Sequence, residues 1–149
     1  MIITAPLEDL SPVIAHIDTL ISQGSRIFWF SGDVGSGKTT LISALTKHLG
    51  YTDAIGSPTY GLVHTYEAPT CHIYHSDWYR IKSPAEIYDS GIEEDLYLTT
   101  QPHHSPTTFW FIEWAELAPS IMAEYPYIKI TITPSPNNPY SRNYEVGDQ

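Results

Sequence analysis

Apolar residues recur along this chain with two different spacings, and segments of the two kinds alternate. Residues 11–24 and 38–49 place apolar side chains three and four positions apart, which is the spacing of a helix with one buried face. Residues 26–31 and 108–112 are almost continuous apolar runs, which are typical of strands buried on both faces of a parallel sheet. This alternation predicts an α/β fold with a mostly parallel sheet flanked by helices.

Two helices also carry terminal signals in the sequence. Ser11 precedes the first apolar position and predicts an N-cap, and Gly24 predicts the end of that helix. Ser83 and Glu86 have the spacing of a capping box, in which each side chain bonds a free backbone N–H of the other. They predict a short helix that ends near Gly91.

The remaining segments complete the expected order of elements. Residues 61–66 and 72–76 are β-like and lie on either side of a short turn, which predicts a hairpin. Residues 98–107 contain two prolines and predict an exposed loop. The other expected elements are an edge strand at 1–4, a helix at 115–123, a strand at 127–133 and a returning strand at 144–146.

A phosphate-binding sequence lies between the apolar run at 26–31 and the helix at 38–49. Residues 32–39 read Gly-Asp-Val-Gly-Ser-Gly-Lys-Thr, a complete G-x-x-x-x-G-K-[ST] motif. Its glycines allow successive backbone N–H groups to face phosphate oxygens, the lysine reaches the outer phosphates and the threonine ligates Mg²⁺. The expected nucleotide contacts are Asp33, Val34, Gly35, Ser36, Gly37, Lys38, Thr39 and Thr40. A P-loop NTPase-like fold is therefore predicted.

A phosphate-loop enzyme also needs an acidic group near Mg²⁺. Glu113 follows the apolar run at 108–112, and Asp77 follows the segment at 72–76. Both would reach the carboxyl edge of the sheet, where ligands bind in such folds. Each could instead cap the next turn. Arg80 is a further candidate, either for the outer phosphate or for pairing with a neighbouring carboxylate.

The histidines do not indicate a zinc site. His72 and His75 would point to opposite faces of one strand. His103 and His104 lie in the predicted loop without neighbouring cysteine or acidic ligands. We interpret them as structural or solvent-exposed, with His75 set apart because it opens a segment considered below.

Composition limits the class of protein. A length of 149 residues suits one domain, expected over 1–149. The formal net charge is −10 and the seven Lys and Arg residues are scattered, so strong binding to nucleic acid is not expected. If the protein serves an RNA or DNA process, the acidity favours contacts with protein partners, and it fits a role in solubility equally well. Cys71 is the lone cysteine, and no apolar run approaches the roughly 20 residues of a membrane span. These features favour a cytoplasmic protein with no membrane role.

Four segments, taken in order, resemble the bacterial TsaE (YjeE) family. They are Gly-Asp-Val-Gly-Ser-Gly-Lys-Thr-Thr at 32–40, Ser-Pro-Thr-Tyr at 57–60, His-Ser-Asp-Trp-Tyr-Arg at 75–80 and Ile-Glu-Trp at 112–114. Members of this family are small cytoplasmic ATPases that act with TsaB and TsaD in threonylcarbamoyladenosine modification of tRNA. The resemblance therefore implies ATP as substrate, Mg²⁺ as cofactor and TsaB and TsaD as partners.

The resemblance also implies roles for individual residues. These are phosphate contact for Lys38, Mg²⁺ ligation for Thr39 and Glu113, a position near the metal for Asp77, a switch-like role for Thr59 and pairing with the acid for Trp114. Residues 141–146 resemble the Gly-Arg segment of the family, with Ser141 where glycine is usual, and make Arg142 a candidate nucleotide contact. From the residues alone, Trp114 is either a core side chain or a surface contact.

Two other functions fit a phosphate loop. A nucleoside or small-molecule kinase would use the segment at 77–80 as a substrate site, but such kinases usually carry an arginine-bearing lid, and only Arg80 and Arg142 follow the loop. A GTP switch is disfavoured because no Asn-Lys-x-Asp base-reading sequence is present. The leading hypothesis is an ATPase that depends on Lys38, Thr39 and Glu113 and turns over slowly when alone.

Overall fold

The computed structural model of the protein describes residues 1–55 and 62–148. Its strands are β1 (Ile2–Pro6), β2 (Ile27–Ser31), β3 (Val63–Glu67), β4 (His72–Asp77), β5 (Thr108–Glu113), β6 (Ile128–Pro134) and β7 (Ser141–Asp148). Its helices are α1 (Ser11–Ser22), α2 (Lys38–His48), α3 (Ala85–Ser90), α4 (Ile92–Thr99), α5 (Pro119–Met122) and a 3-10 turn at Ala115–Leu117. None of the described helices is long and apolar enough to cross a bilayer.

The strands form one mixed sheet in the order β1-β7-β6-β2-β5-β4-β3. Within the described ranges, the four neighbours β6, β2, β5 and β4 are parallel, and antiparallel strands are added at both flanks. The predicted mostly parallel α/β sheet, the hairpin of β3 and β4 and the edge position of β1 are confirmed. The returning strand β7 is longer than the predicted 144–146, because it pairs along its length with both β1 and β6.

Helices cover both faces of the sheet because side chains of the central strands alternate. Phe28 and Phe30 of β2 are buried with apolar residues of α1 and α2. Ile27 and Trp29 point to the other face and are buried with residues of α3, α4 and α5. Burying an apolar side chain of this size contributes about 1.5–3 kcal/mol. The continuous apolar run in β2 is therefore explained by two separate core layers.

Two predicted helix caps are wrong. Ser11 is already the first residue of α1, and its N–H and hydroxyl donate to Asp9 Oδ1 at 3.1 Å and 2.6 Å. Ser83 makes no cap for α3, and Glu86 Oε1 instead accepts the N–H of Lys82 at 3.0 Å. In each case a carboxylate bonds a backbone N–H just outside or at the helix start. Ser11 and Glu86 do form hydrogen bonds near the helix starts, but their partners are Asp9 and Lys82 and not the ones that the cap motifs predict.

The loop predicted at 98–107 and the helix predicted at 115–123 also differ from the structure. The loop predicted at 98–107 begins later, because α4 continues to Thr99 and was not predicted as a helix. The helix predicted at 115–123 is divided into a 3-10 turn and α5 by Ala118, whose φ is −140°. Pro119 disfavours a helical conformation in the residue before it, so the interruption has a local cause.

Replacing Leu45 by alanine tests the core between α2 and the sheet. Leu45 is fully buried, so Leu45→Ala should lower the free energy of unfolding by about 2–5 kcal/mol. Leu98 in α4 is 42% exposed, and Leu98→Ala should have a much smaller effect. Urea unfolding followed by circular dichroism measures both values. Equal losses in the two variants would contradict this packing.

Candidate functional site

The carboxyl ends of β2, β4 and β5 meet at one cleft. The loop after β2 carries residues 32–37, Asp77 ends β4 and Glu113 ends β5. The parallel register pairs Glu113 with Phe30 on one side and with Asp77 on the other. The cleft has a volume of about 380 Å³, and its walls are formed by residues 33–40, Leu7, Asp77, Tyr79, Glu113 and Trp114. The predicted loop and both predicted carboxylates therefore lie together.

A larger cavity, about 770 Å³, opens at the opposite edge of the sheet. It is lined near the starts of the parallel strands by Arg26, Thr108 and Ile128, among others. Neither the phosphate loop nor the two carboxylates contribute to it. Size alone would favour this cavity, but chemistry favours the smaller cleft, because phosphate binding needs the loop amides and the lysine.

The backbone of the loop requires glycine at two places for different reasons. Gly37 has a φ of +107° and precedes the first residue of α2, so the chain turns directly into the helix N-terminus. At Gly32, a Cβ atom would lie 2.8 Å from the carbonyl oxygen of Ile132 and 2.6 Å from Ser36 Oγ. A side chain there would push the loop away from β6.

Lys38 is buried at the base of the cleft. Its ammonium donates to the carbonyl oxygens of Gly32 and of Asp33, the latter at 3.2 Å. The Nζ atom also lies 4.4 Å from the centre of the Trp114 ring, within the range of a cation–π contact. Within the described part of the chain, no carboxylate forms an ion pair with this ammonium. Its charge is therefore available to an anion in the cleft.

Both oxygens of the Glu113 carboxylate have hydrogen-bond partners. The Thr39 hydroxyl donates to Oε1 at 3.3 Å, and Oε2 lies 2.6 Å from His75 Nε2. The backbone carbonyl of Glu113 accepts the N–H of Trp78 at 3.0 Å, which holds the strand end in place. A buried carboxylate needs such partners to stay ionised. Glu113 is thus connected directly to the last residue of the phosphate motif.

Asp77 lies beside Glu113, where its negative charge is unfavourable. Its Oδ1 accepts the N–H of Tyr79 at 2.9 Å. Burial raises the pKa of Asp77, and the nearby Glu113 charge raises it further, while the Tyr79 N–H, His75 and Lys38 act in the opposite direction. The net shift is upward, so the charged form of Asp77 is less favourable in the cleft than it is for an exposed aspartate. A cation in the cleft would relieve this repulsion.

The oxygen donors around the cleft fit Mg²⁺. The Thr39 hydroxyl and the carboxylates of Asp77 and Glu113 are the kind of ligands that this hard cation prefers. Among the described residues, no group of three His, Cys, Asp or Glu side chains forms a complete metal site. The fit is therefore to an ion that keeps several waters and shares its coordination with phosphate oxygens, as Mg²⁺ usually does.

Trp114 forms one wall of the cleft and lies neither in the core nor on an open surface. Its backbone has a φ of +61°, which is uncommon for a bulky residue and turns the chain sharply after β5. Its ring packs against that of Tyr79 with the centres 4.9 Å apart, and against the ammonium of Lys38. The sharp turn directs the indole over the base of the phosphate loop.

Arg80 and Arg142, two further candidates, lie outside the cleft. Arg80 is exposed and does not line the cleft. Arg142 lies beside the outer side of the loop, where its guanidinium donates to the carbonyl oxygens of Ser141 at 3.1 Å and Pro139 at 3.4 Å. Thr59 falls outside the described residues. The roles suggested for these three residues stay predictions.

The sequence did not identify the contact of His75 with Glu113. His75 was set apart from the other histidines as part of the segment at 75–80 but was given no contact, and its side chain is fully buried against the carboxylate. Strand alternation places it on the same face as Asp77. The missing information was the register of β4 and β5, which pairs His75 with Phe111 and so places it diagonally beside Glu113. Only a correct pairing of two distant strands would have shown this.

Comparisons with known proteins agree with the geometry. The family model described as threonylcarbamoyl adenosine biosynthesis protein TsaE matches residues 6–144. A Rickettsia typhi protein described as tRNA threonylcarbamoyladenosine biosynthesis protein TsaE is 37% identical over 113 residues, covering 75% of this chain and 72% of the relative. A Haemophilus influenzae protein with the same description is 35% identical over 105 residues, covering 70% and 61%.

A solved structure supports the fold. The crystal structure of Bacillus subtilis YdiB superimposes with a TM-score of 0.62 at 18% identity, covering 99% of this chain and 85% of that one. At this identity the likeness concerns the fold only. The P-loop NTPase-like α/β fold predicted from the sequence is confirmed.

Replacing Asp77 by asparagine tests the repulsion at the cleft. Without nucleotide or Mg²⁺ at neutral pH, Asp77→Asn should raise the unfolding temperature by a few degrees at most, because it removes a half-buried charge and keeps an acceptor for Tyr79. Since the pKa of Asp77 is higher in the folded than in the unfolded state, the wild type loses stability as pH rises above the ordinary aspartate value of 3.8. The advantage of the variant should therefore disappear in acid.

The matched control is Asp53→Asn, at an exposed aspartate that does not line the cleft. Thermal unfolding of both variants is followed by circular dichroism at several pH values. A lower unfolding temperature for Asp77→Asn, or a gain equal to that of Asp53→Asn at every pH, would contradict the electrostatic description.

Proposed function

Because this chain belongs to the TsaE family of tRNA threonylcarbamoyladenosine biosynthesis proteins, we propose that it binds ATP with Mg²⁺ in the cleft and hydrolyses it. One observation carries this proposal: the Lys38 ammonium, the Thr39 hydroxyl and the Glu113 carboxylate meet at the phosphate loop, and the ammonium has no carboxylate partner among the described residues. Because the family is described by its part in threonylcarbamoyladenosine biosynthesis, we infer that ATP hydrolysis by this chain serves the modification of tRNA.

Phosphate groups are held by backbone and side chain together. The N-terminus of α2 directs backbone N–H groups and the positive end of a helix dipole toward the loop. Lys38 supplies a full positive charge at the same place and exchanges its carbonyl contacts for outer phosphate oxygens. Trp114 covers this ammonium from one side, which reduces its access to water.

Thr39, Asp77 and Glu113 supply oxygen ligands for a metal–nucleotide complex in the cleft. Bound Mg²⁺ supplies neutralisation of negative charge on the outer phosphates. Thr39 would hold it through the hydroxyl, with Glu113 and Asp77 acting directly or through water. This arrangement gives a reason for two carboxylates beside each other at a place where burial and the Glu113 charge raise the pKa of Asp77 in spite of Lys38 and His75.

Hydrolysis needs an oriented water and little covalent chemistry from the protein. The water oxygen forms a bond to the γ-phosphorus as the bond from this phosphorus to the bridging oxygen of ADP breaks. Glu113 orients the water and takes its proton, while Lys38 stabilises charge on the phosphate oxygens. The products are ADP and inorganic phosphate.

Turnover by the isolated chain should be slow. Phosphoryl transfer is commonly accelerated by an arginine that reaches the transferred group, but neither Arg80 nor Arg142 lines the cleft. We propose that TsaB and TsaD are the partners that complete the site or change its cycle. With a net charge of −10 and scattered basic residues, the chain is suited to protein contacts more than to direct tRNA binding.

Replacing Lys38 tests the proposal directly. Lys38→Ala should reduce phosphate release from ATP by at least about 100-fold, since it removes the cation at the transferred group. Lys82→Ala, at an exposed lysine, is the matched control and should retain wild-type activity. The measurement is phosphate release by the purified protein, with and without TsaB and TsaD. Full activity in Lys38→Ala would contradict the proposal.

The same assay separates the other functions. Partner-dependent release of free phosphate supports the ATPase. If labelled γ-phosphate appears on an acceptor instead, the protein is a kinase. Tight binding of GTP without ATP binding would make it a guanine-nucleotide switch.

A further inference from the structure

We propose that His75 is a positioning residue that orients the Glu113 carboxylate toward the metal–nucleotide complex. This inference rests on the proposed function. His75 Nε2 lies 2.6 Å from Glu113 Oε2, and the two side chains are 0% and 4% exposed. The contact is thus removed from solvent, where a charge-assisted hydrogen bond is stronger than at a surface.

The position of His75 in the sheet makes the contact specific. On β4 the sequence places Ile73, His75 and Asp77 on one face, and β5 places Phe111 and Glu113 on the same face. Ile73 and Phe111 belong to the apolar core. His75 is therefore the first polar side chain met on passing from this core to the cleft, and it lies directly behind the acid.

The two ring nitrogens of His75 show why a histidine, and not an apolar residue, is useful at this position. The carboxylate of Glu113 only accepts hydrogen bonds, so Nε2 carries the proton and donates to it. The other nitrogen, Nδ1, is buried and has no hydrogen-bond partner among the described residues. A buried polar atom without a partner is unfavourable, so an apolar residue would fill this space better. The bond to Glu113 is the contribution that an apolar residue could not make.

The bond to His75 gives the two carboxylate oxygens of Glu113 different roles. Oε2 is held from behind by His75, whereas Oε1 accepts the Thr39 hydroxyl at the longer distance of 3.3 Å on the cleft side. Fixing Oε2 prevents rotation of the carboxylate and directs Oε1 to the proposed Mg²⁺ site. Partners of this kind, which orient a metal-linked group, typically change metal affinity or activity by about 10–100-fold when they are removed.

The test compares two substitutions of His75. His75→Leu keeps an apolar volume but removes the donor, and His75→Gln retains an amide N–H that can reach Glu113. We measure by calorimetry how much Mg²⁺ increases the affinity for a non-hydrolysable ATP analogue. His75→Leu should reduce this increase by about 10-fold or more, leave Mg²⁺-free affinity unchanged and lower kcat more than it alters KM, and His75→Gln should restore part of each loss.

Two controls distinguish positioning from general loosening of the sheet. Ile73→Ala disturbs the same strand face two residues earlier and should leave the Mg²⁺ effect intact. In a Glu113→Gln background, adding His75→Leu should change the Mg²⁺ effect less than 2-fold, because the group that His75 orients has already been altered. If His75→Leu does not fold, His75→Asn, whose amide is too short to reach, replaces it in the comparison with His75→Gln.

The outcomes separate this inference from the proposed function. An unchanged Mg²⁺ effect in His75→Leu overturns the inference, as does an equal loss in Ile73→Ala or in the Glu113→Gln background. If the wild type binds the analogue with Mg²⁺ but releases no phosphate from ATP, the hydrolytic function fails, and the binding comparison still decides the role of His75.

Discussion

The parallel pairing of β5 with β2 and β4 is the constraint on which the site depends. It places Glu113 beside Phe30, the penultimate residue of β2 before the phosphate loop, and beside Asp77 on the other side. The register is supported by edge-to-face packing of the Phe111 ring with Phe28 and Phe30, at 5.8 Å and 5.6 Å between ring centres. A shift of one residue would turn Glu113 away from Thr39 and bury Ile112 on the wrong face.

The same pairing controls how charge is distributed in the cleft. Glu113 is stabilised by Thr39 and His75, and the described contacts of Lys38 are to backbone carbonyls and Trp114. No described carboxylate forms an ion pair with the ammonium, which leaves it for an anion, and burial together with the Glu113 charge raises the pKa of Asp77. A protein selected only for stability would pair these charges. Their separation is what the proposed binding of a metal–nucleotide complex would use.

Local patterns could be read from the sequence, whereas contacts between distant strands could not. The loop after β2, the helix that follows it and the strand that ends at Glu113 each depend on one short stretch of sequence, and their secondary structure was predicted correctly. The cap at Ser11 was wrong because α1 begins one residue earlier than expected. The helix predicted at 115–123 was wrong because Pro119 interrupts it at Ala118. The contact of His75 was missed because it requires the register of β4 and β5, which are more than 30 residues apart. Arg80 belongs to a motif by sequence, but its position outside the cleft follows from the turn after β4.

A crystal structure with Mg²⁺ and a non-hydrolysable ATP analogue would test the central claim most directly. The account predicts that the phosphates contact the backbone N–H groups of the loop, that Lys38 leaves the carbonyl of Gly32 to reach them and that Glu113 remains bonded to His75 while facing the metal. Nucleotide bound in the cavity at the opposite edge of the sheet, or a Glu113 carboxylate turned away from both Thr39 and His75, would contradict it.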